Sequence, residues 1–312
     1  MLKALFFLYL SSLLLWSAST NNPVEIVGKI NTATINALMI FTSQEGLNSG
    51  KYTFSNTPVD LKMEIYHLPF LYNFHSSTNL NYFIVGNVGY NRVSLDGDLK
   101  SIPGNEEGLN SFNNIKVYTS GIGGGLRYQL YHKLYFSIGA EFIYSRMGIS
   151  IKSDKPLGGA IEDFFNKNYS DNITYKFFGL VEYRPIFHKY KPYITLGHKV
   201  YETKSSFSLE DLSSFHSASS VTSLAIGVET PPLYSYAQDN YLTVETYFNG
   251  HALNGVVKNV VKIDKYASIG GVLYWNTLKD PWWTSRFFLE AALISSDGLK
   301  GYNLGGGFRL DF

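Results

Sequence analysis

The chain of 312 residues contains no cysteine. That excludes structural disulfides, thiolate metal sites and a lipid-modified N-terminal cysteine. Charge is also scarce: Asp, Glu, Lys and Arg make up 16% of the chain, against roughly 25% in ordinary globular proteins. Neither sign dominates. Setting Lys3 aside with the leader described below, the 26 basic residues become 25, matching 25 acidic ones. Such a balance offers no electrostatic hold on nucleic acid. Beyond the first twenty residues no apolar run approaches the length of a membrane helix. Several catalytic signatures are missing as well: G-x-S-x-G, H-E-x-x-H, and a glycine-rich phosphate loop between a strand and a helix. No cofactor and no metal cluster is expected.

What is present begins with a leader. Lys3 supplies a positive start, Leu5 to Leu15 an apolar core, and Ser17, Ala18 and Ser19 small residues before a cleavage point. Residues 1–19 therefore read as a secretory signal peptide. The apolar stretch is short for a bilayer span, and the polar Asn21, Asn22 and Pro23 follow at once.

The remainder is dominated by long alternating runs, the period of a strand. In 134–145, Leu134, Phe136, Ile138, Ala140, Phe142 and Tyr144 share one face, while Tyr135, Ser137, Gly139, Glu141, Ile143 and Ser145 share the other. The same division recurs around Tyr82 to Tyr90, Ile122 to Leu130, Ile173 to Phe187, and in four later runs up to the C-terminus. Several runs span ten residues or more, longer than the five or six of an ordinary soluble strand and enough to cross hydrocarbon when tilted. Their connections alternate in size. Short ones fall at 75–79, 131–133, 188–191, 235–240 and 278–281; wide polar ones fall at 96–112, 152–171 and 208–216, with a briefer one at 295–301. Tight turns on one rim and long loops on the other are the pattern of outer-membrane barrels. Closure follows physically, because an open edge in lipid would leave backbone groups unbonded at several kcal/mol each.

The expected fold is all-β: one transmembrane antiparallel barrel over 59–312, with short periplasmic turns and long extracellular loops. Eleven alternating runs lie in that span. Residues 20–58 form an N-terminal segment that supplies either a twelfth strand or a helix in the lumen. Its alternation breaks midway, since Val24, Ile26 and Ile30 have the opposite parity to Ala33, Ile35, Ala37 and Met39. Twelve strands would return both termini to the periplasmic side.

The barrel-interior parity collects Arg127, Glu141, Lys176, Glu182, Arg184, Glu229, Glu245, Arg286, Glu290 and Arg309. Two readings stand side by side: a pore wall that filters small polar solutes, or paired charges that fill a closed barrel. Interior Tyr135, Tyr241 and Tyr247 would suit a sugar track. Tyr82, Phe136, Tyr144, Phe177, Phe287 and Phe308 are assigned to lipid. An esterase or deacylase acting on membrane lipid is a third reading; His216, which opens His216-Ser217-Ala218-Ser219-Ser220, and His251 are its candidate bases.

The chain closes on GYNLGGGFRLDF, where Leu304, Phe308, Leu310 and Phe312 alternate up to a terminal aromatic. This resembles the last strand of Gram-negative outer-membrane proteins. The resemblance implies that Phe308, Leu310 and Phe312 form the signal read by the barrel-assembly machinery. It also implies residence in the bacterial outer membrane, among its lipid and lipopolysaccharide. More narrowly, the glycines followed by Phe308, Arg309 and Phe312 resemble the closing strand of autotransporter translocator barrels, which are twelve-stranded. Those carry a passenger before the barrel, whereas here only about forty residues separate the leader from the first strong strand. The resemblance therefore implies a solitary barrel without cargo. The leading functional expectation is a passive pore for small solutes; the alternatives are a closed structural or surface-interaction barrel and the lipid esterase.

Overall fold

The computed structural model describes residues 23–42, 49–55, 60–74, 79–96, 113–151, 169–208, 214–237, 240–277 and 286–311. The leader, the stretches 97–112 and 152–168, and Phe312 lie outside the described residues. Helix α1 (Pro23–Thr42) comes first. The strands follow: β1 (Ser49–Phe54), β2 (Asp60–Phe74), β3 (Leu80–Asp96), β4 (Asn113–Tyr131), β5 (Leu134–Ile151), β6 (Tyr169–Tyr183), β7 (Lys191–Phe207), β8 (Phe215–Glu229), β9 (Tyr234–Ala237), β10 (Asn240–Gly255), β11 (Lys265–Thr277), β12 (Arg286–Ser296) and β13 (Leu299–Asp311). A short helix, α2 (Val256–Val261), joins β10 to β11.

Sequential strands pair antiparallel, and β13 returns to β1, so the sheet closes on itself. Of its thirteen strands, the four-residue β9 merely flanks the start of β10. The remaining twelve form the wall. The wall begins at Ser49 and not at residue 59, a correction to the boundary read from the sequence. β1 has only six residues, too few for its alternation to stand out. Below it, β13 and β2 meet directly as parallel strands at Leu310–Tyr72 and Asp311–Asn73.

Polarity reverses along the barrel axis, and this organises the whole molecule. On the turn-side portion the outer face is apolar: Ile122, Leu126, Ile138, Phe177, Leu196, Ile269 and Leu289 are all exposed there. A chain that leaves so many large hydrophobes bare is covered by lipid. Tyrosines bound the belt. Tyr66, Tyr90 and Tyr118 line up on adjacent strands with ring centroids 6.2 and 5.2 Å apart, and Tyr128, Tyr183 and Phe136 lie toward the turns. Tyr118 and Tyr128 are ten residues apart on β4, about 34 Å along a strand and about 26 Å along the membrane normal at a tilt of ~40°. That matches the apolar band of an outer-membrane barrel, ~25 Å tall. Beyond the upper tyrosines the outer face turns polar, with Lys62, Arg92, Lys116, Arg146, Glu202 and Lys204 exposed. In that projecting region the inner face joins an apolar core to buried uncharged polar residues such as Asn172, Thr174, Thr203 and Ser205 on β6 and β7. Ile65, Val93, Val117, Ile143, Met147, Val221 and Leu253 are buried in a single core.

Helix α1 supplies the centre of that core. Ala33, Ile35, Ala37, Leu38, Met39, Ile40 and Phe41 are all buried, as are the polar Thr32 and Asn36. From Ile35 to Phe41 every side chain of the helix is buried, so its apolar residues follow one another without a period of two. The parity break marks a 3.6-residue period. The helix packs against β7, β8 and the short α2, whose Val257 and Val261 join the same core. The Phe41 ring sits 5.4 to 5.9 Å from those of Phe54, Tyr266 and Tyr52. Asn36 anchors the upper turns, donating from Nδ2 to the Tyr201 carbonyl (3.3 Å), Thr203 Oγ1 (3.1 Å) and the Ser217 carbonyl (3.4 Å). No helix among the described residues is long and apolar enough to cross a membrane; here the strands cross.

Candidate functional site

Beneath α1 the lumen opens into a cup within the membrane belt, lined by charged side chains and by aromatics such as Phe83, Phe178 and Phe288. Two connected cavities of about 380 and 350 Å³ share Arg127, Ser137, Leu180, Arg184, Tyr274 and Glu290, and Ile40 of α1 lines the second.

Cross-strand register places its charges in pairs. Glu141 on β5 faces Lys176 on β6 in the ladder, and Lys176 Nζ lies 2.9 Å from Glu141 Oε2. Asn87 Nδ2 donates to the other Glu141 oxygen. Glu182 is shared: Arg127 bonds one oxygen, and Arg184 Nε donates to the other at 3.0 Å. Glu229, only 2% exposed, accepts from Arg286 at 2.5 Å and from Thr243 Oγ1 at 3.1 Å, with Lys191 Nζ at 3.5 Å. Arg286 also lies over the Tyr274 ring, 3.5 Å from its centroid. Glu245 takes tyrosine donors, Tyr193 at 2.7 Å and Tyr274 at 3.2 Å. Glu290 accepts from Tyr247. In a low-dielectric wall an unpaired charge would be costly, so each carboxylate has a donor beside it. Arg309 on β13 pairs in register with Arg286, and its side chain lies outside the described residues. So do the side chains of Phe308 and Leu310, whose backbones pair with Phe287 and Tyr72.

The interior face is not charged along its whole length, as alternation alone implied. The ten charges belong to the membrane-embedded and turn-side part, and the projecting part carries the apolar core. Sequence reasoning also missed Asn87, Tyr193 and Tyr274 as carboxylate partners, because partnership depends on register. Tyr135, one of the sugar-track candidates, instead packs under Arg127, whose guanidinium carbon is 4.4 Å from the ring centroid. Small glycines make room for large neighbours. A Cβ on Gly139 would meet the Phe178 ring, which stacks on Phe83 at 6.0 Å in the cup wall.

Neither candidate base meets a serine hydroxyl among the described residues. His216 is exposed on the outer face of β8 while Ser217 is buried facing inward. His251 stacks on Tyr266 at 4.5 Å, and its buried Nε2 makes no hydrogen bond to Ser223, its neighbour in register. No group of three or more His, Asp or Glu placed to hold a metal occurs among the described residues.

No protein-family model matches the chain, and no curated protein sequence matches it. Solved structures do. The translocator domain of the autotransporter NalP from Neisseria meningitidis superimposes over 84% of this chain and 86% of its own, with a TM-score of 0.56 and 12% identity. The chain shares the fold of autotransporter translocator barrels. The transport unit of AIDA-I from Escherichia coli covers 94% of this chain and 100% of its own, with a TM-score of 0.54 and 11% identity. The β domain of the Bordetella autotransporter BrkA covers 85% and 96%, with a TM-score of 0.50 and 10% identity. At these identities the likeness establishes a shared translocator-barrel fold, and what fills this lumen follows from its own residues.

Proposed function

We propose that the protein is a closed, self-plugged barrel of the bacterial outer membrane. It resembles an autotransporter translocator barrel whose lumen is occupied by its own helix. The observation that carries this reading is the second half of α1, where Ile35 and Ala37 to Phe41 are buried in one core with Tyr52, Phe54, Val221 and Leu253 of the wall. The polar groups beside the plug bond to one another: Asn36 to Thr203, Thr203 to Thr174, and Ser205 to Asn172. Each large side chain of Leu38, Met39, Ile40 and Phe41 contributes about 1.5–3 kcal/mol by staying buried. The turn-side cup remains accessible from the periplasm, and the paired charges in its wall hold the strands in register. Barrel lipid and the assembly machinery are the partners of this reading. The passive-pore and esterase readings have no comparable support.

Thiol accessibility tests it. The chain has no cysteine, so Ser137→Cys in the cup wall is a single reporter. A membrane-impermeant maleimide added to intact cells should leave it unlabelled. Permeabilising the outer membrane should expose it. Labelling on intact cells would overturn the sealed reading, and recovery of folded protein in the soluble fraction would overturn the membrane one.

A further inference from the structure

Three of the four non-glycine residues with left-handed backbone, among those described, crowd into two neighbouring turns: Lys133 (φ 62°), His188 (φ 46°) and Lys189 (φ 75°). The β6–β7 turn is a two-residue hairpin closed by reciprocal 2.9 Å bonds between Phe187 and Tyr190, with His188 and Lys189 at its two tip positions. Both tips have positive φ, the geometry that favours Asn-Gly. The β4–β5 turn is equally short, with His132 and Lys133 between Tyr131 and Leu134. Each turn thus reads aromatic, histidine, lysine. The rings meet edge to face, Tyr131 on His132 at 4.9 Å and Phe187 on His188 at 4.3 Å. A backbone bond of 2.9 Å from Arg184 N–H to the Lys133 carbonyl ties the second turn to the first.

Long cationic side chains stand here where glycine would be the easier residue, so strain is retained at a defined place. That place continues the lipid-covered face. Leu130, Tyr131, Ile186 and Phe187 are exposed by 54%, 71%, 61% and 65%, and each lysine follows one histidine later. This is headgroup depth. Neither Lys133 nor Lys189 has an ion-pair partner among the described residues, whereas Arg184 is bonded to Glu182.

We propose that the paired turns bind the headgroup of an anionic phospholipid in the turn-side leaflet. Lys133 and Lys189 hold its phosphate, and Tyr131 and Phe187 flank its glycerol and upper acyl chains. The proposal rests on the membrane-barrel reading above. The test uses the full chain in nanodiscs containing equal phosphatidylcholine and phosphatidylglycerol, with retained lipids counted by native mass spectrometry. Wild-type protein should retain phosphatidylglycerol preferentially. The double variant Lys133→Gly/Lys189→Gly should lose that preference by on the order of tenfold, while its melting temperature in phosphatidylcholine alone stays level or rises. Lys133→Arg/Lys189→Arg should keep the preference. An unchanged preference in the glycine variant would overturn the proposal. Displacement of the retained lipid by soluble glycerol phosphate would also overturn it, by showing that a free phosphate compound is the ligand. Failure of the wild-type protein to enter nanodiscs would refute the membrane reading instead, a distinguishable result.

Discussion

Replacing Phe41 with alanine should loosen the helix from the lumen without disturbing the wall. Phe41 is 1% exposed, and its ring touches three partners from two strands: Tyr52 and Phe54 of β1 and Tyr266 of β11. Truncating a core phenylalanine costs about 3–5 kcal/mol, from lost transfer energy and the cavity left behind. At about 1.4 kcal/mol for each factor of ten, the population with α1 undocked should rise at least ~100-fold. Met39 is 0% exposed, so Met39→Cys reports undocking directly in a chain free of other thiols. When redocking outpaces the chemistry, the maleimide labelling rate follows the open population. The rate in folded, unboiled barrel should therefore rise by ~100-fold or more when Phe41→Ala is added. Equal rates in the two backgrounds, with both proteins still migrating as folded barrels, would refute the packing account of the plug.

Two further outcomes follow from the wall. Lys176→Met leaves Glu141 buried with only Asn87 beside it, and should lower stability by about 3–5 kcal/mol; Lys176→Met/Glu141→Leu should recover most of the loss in urea or thermal melts, and no recovery would show that the pair is not the cause. Because the closing strand completes the sheet, deleting Phe312 should reduce the yield of folded barrel more than deleting residues 157–161; equal yields would remove the terminus from the assembly argument.

The wall was legible because its strands alternate for ten residues or more. Leu134 to Tyr144 and Tyr128 to Ile122 each announce one lipid face, and the structure places them there. The lumen was harder to read. Ile143 and Met147 share the parity of Glu141 and Ser137, so a face named polar by its charges hid an apolar half. What separates the halves is height above the membrane, which period-two arithmetic does not contain. Helix α1 was visible only as a disturbance in alternation at Ile30 and Ala33. The recurrence of Ala33, Ala37, Ile40 and Phe41 at helical spacing is a signal that could have been used. The tyrosine donors to Glu245 and Glu290 come from other strands, and finding them requires shear and register. β1 was overlooked because Tyr52 and Phe54 give only two apolar steps before the strand ends.

The central claim is that α1 seals the lumen, and single-channel recording in planar bilayers tests it most directly. Purified barrel with α1 in place should give no stepwise conductance. A version lacking residues 23–42, which keeps all of β1 and is shown folded by its unboiled mobility, should give stable steps. Stable, ohmic steps from the intact protein would contradict the account.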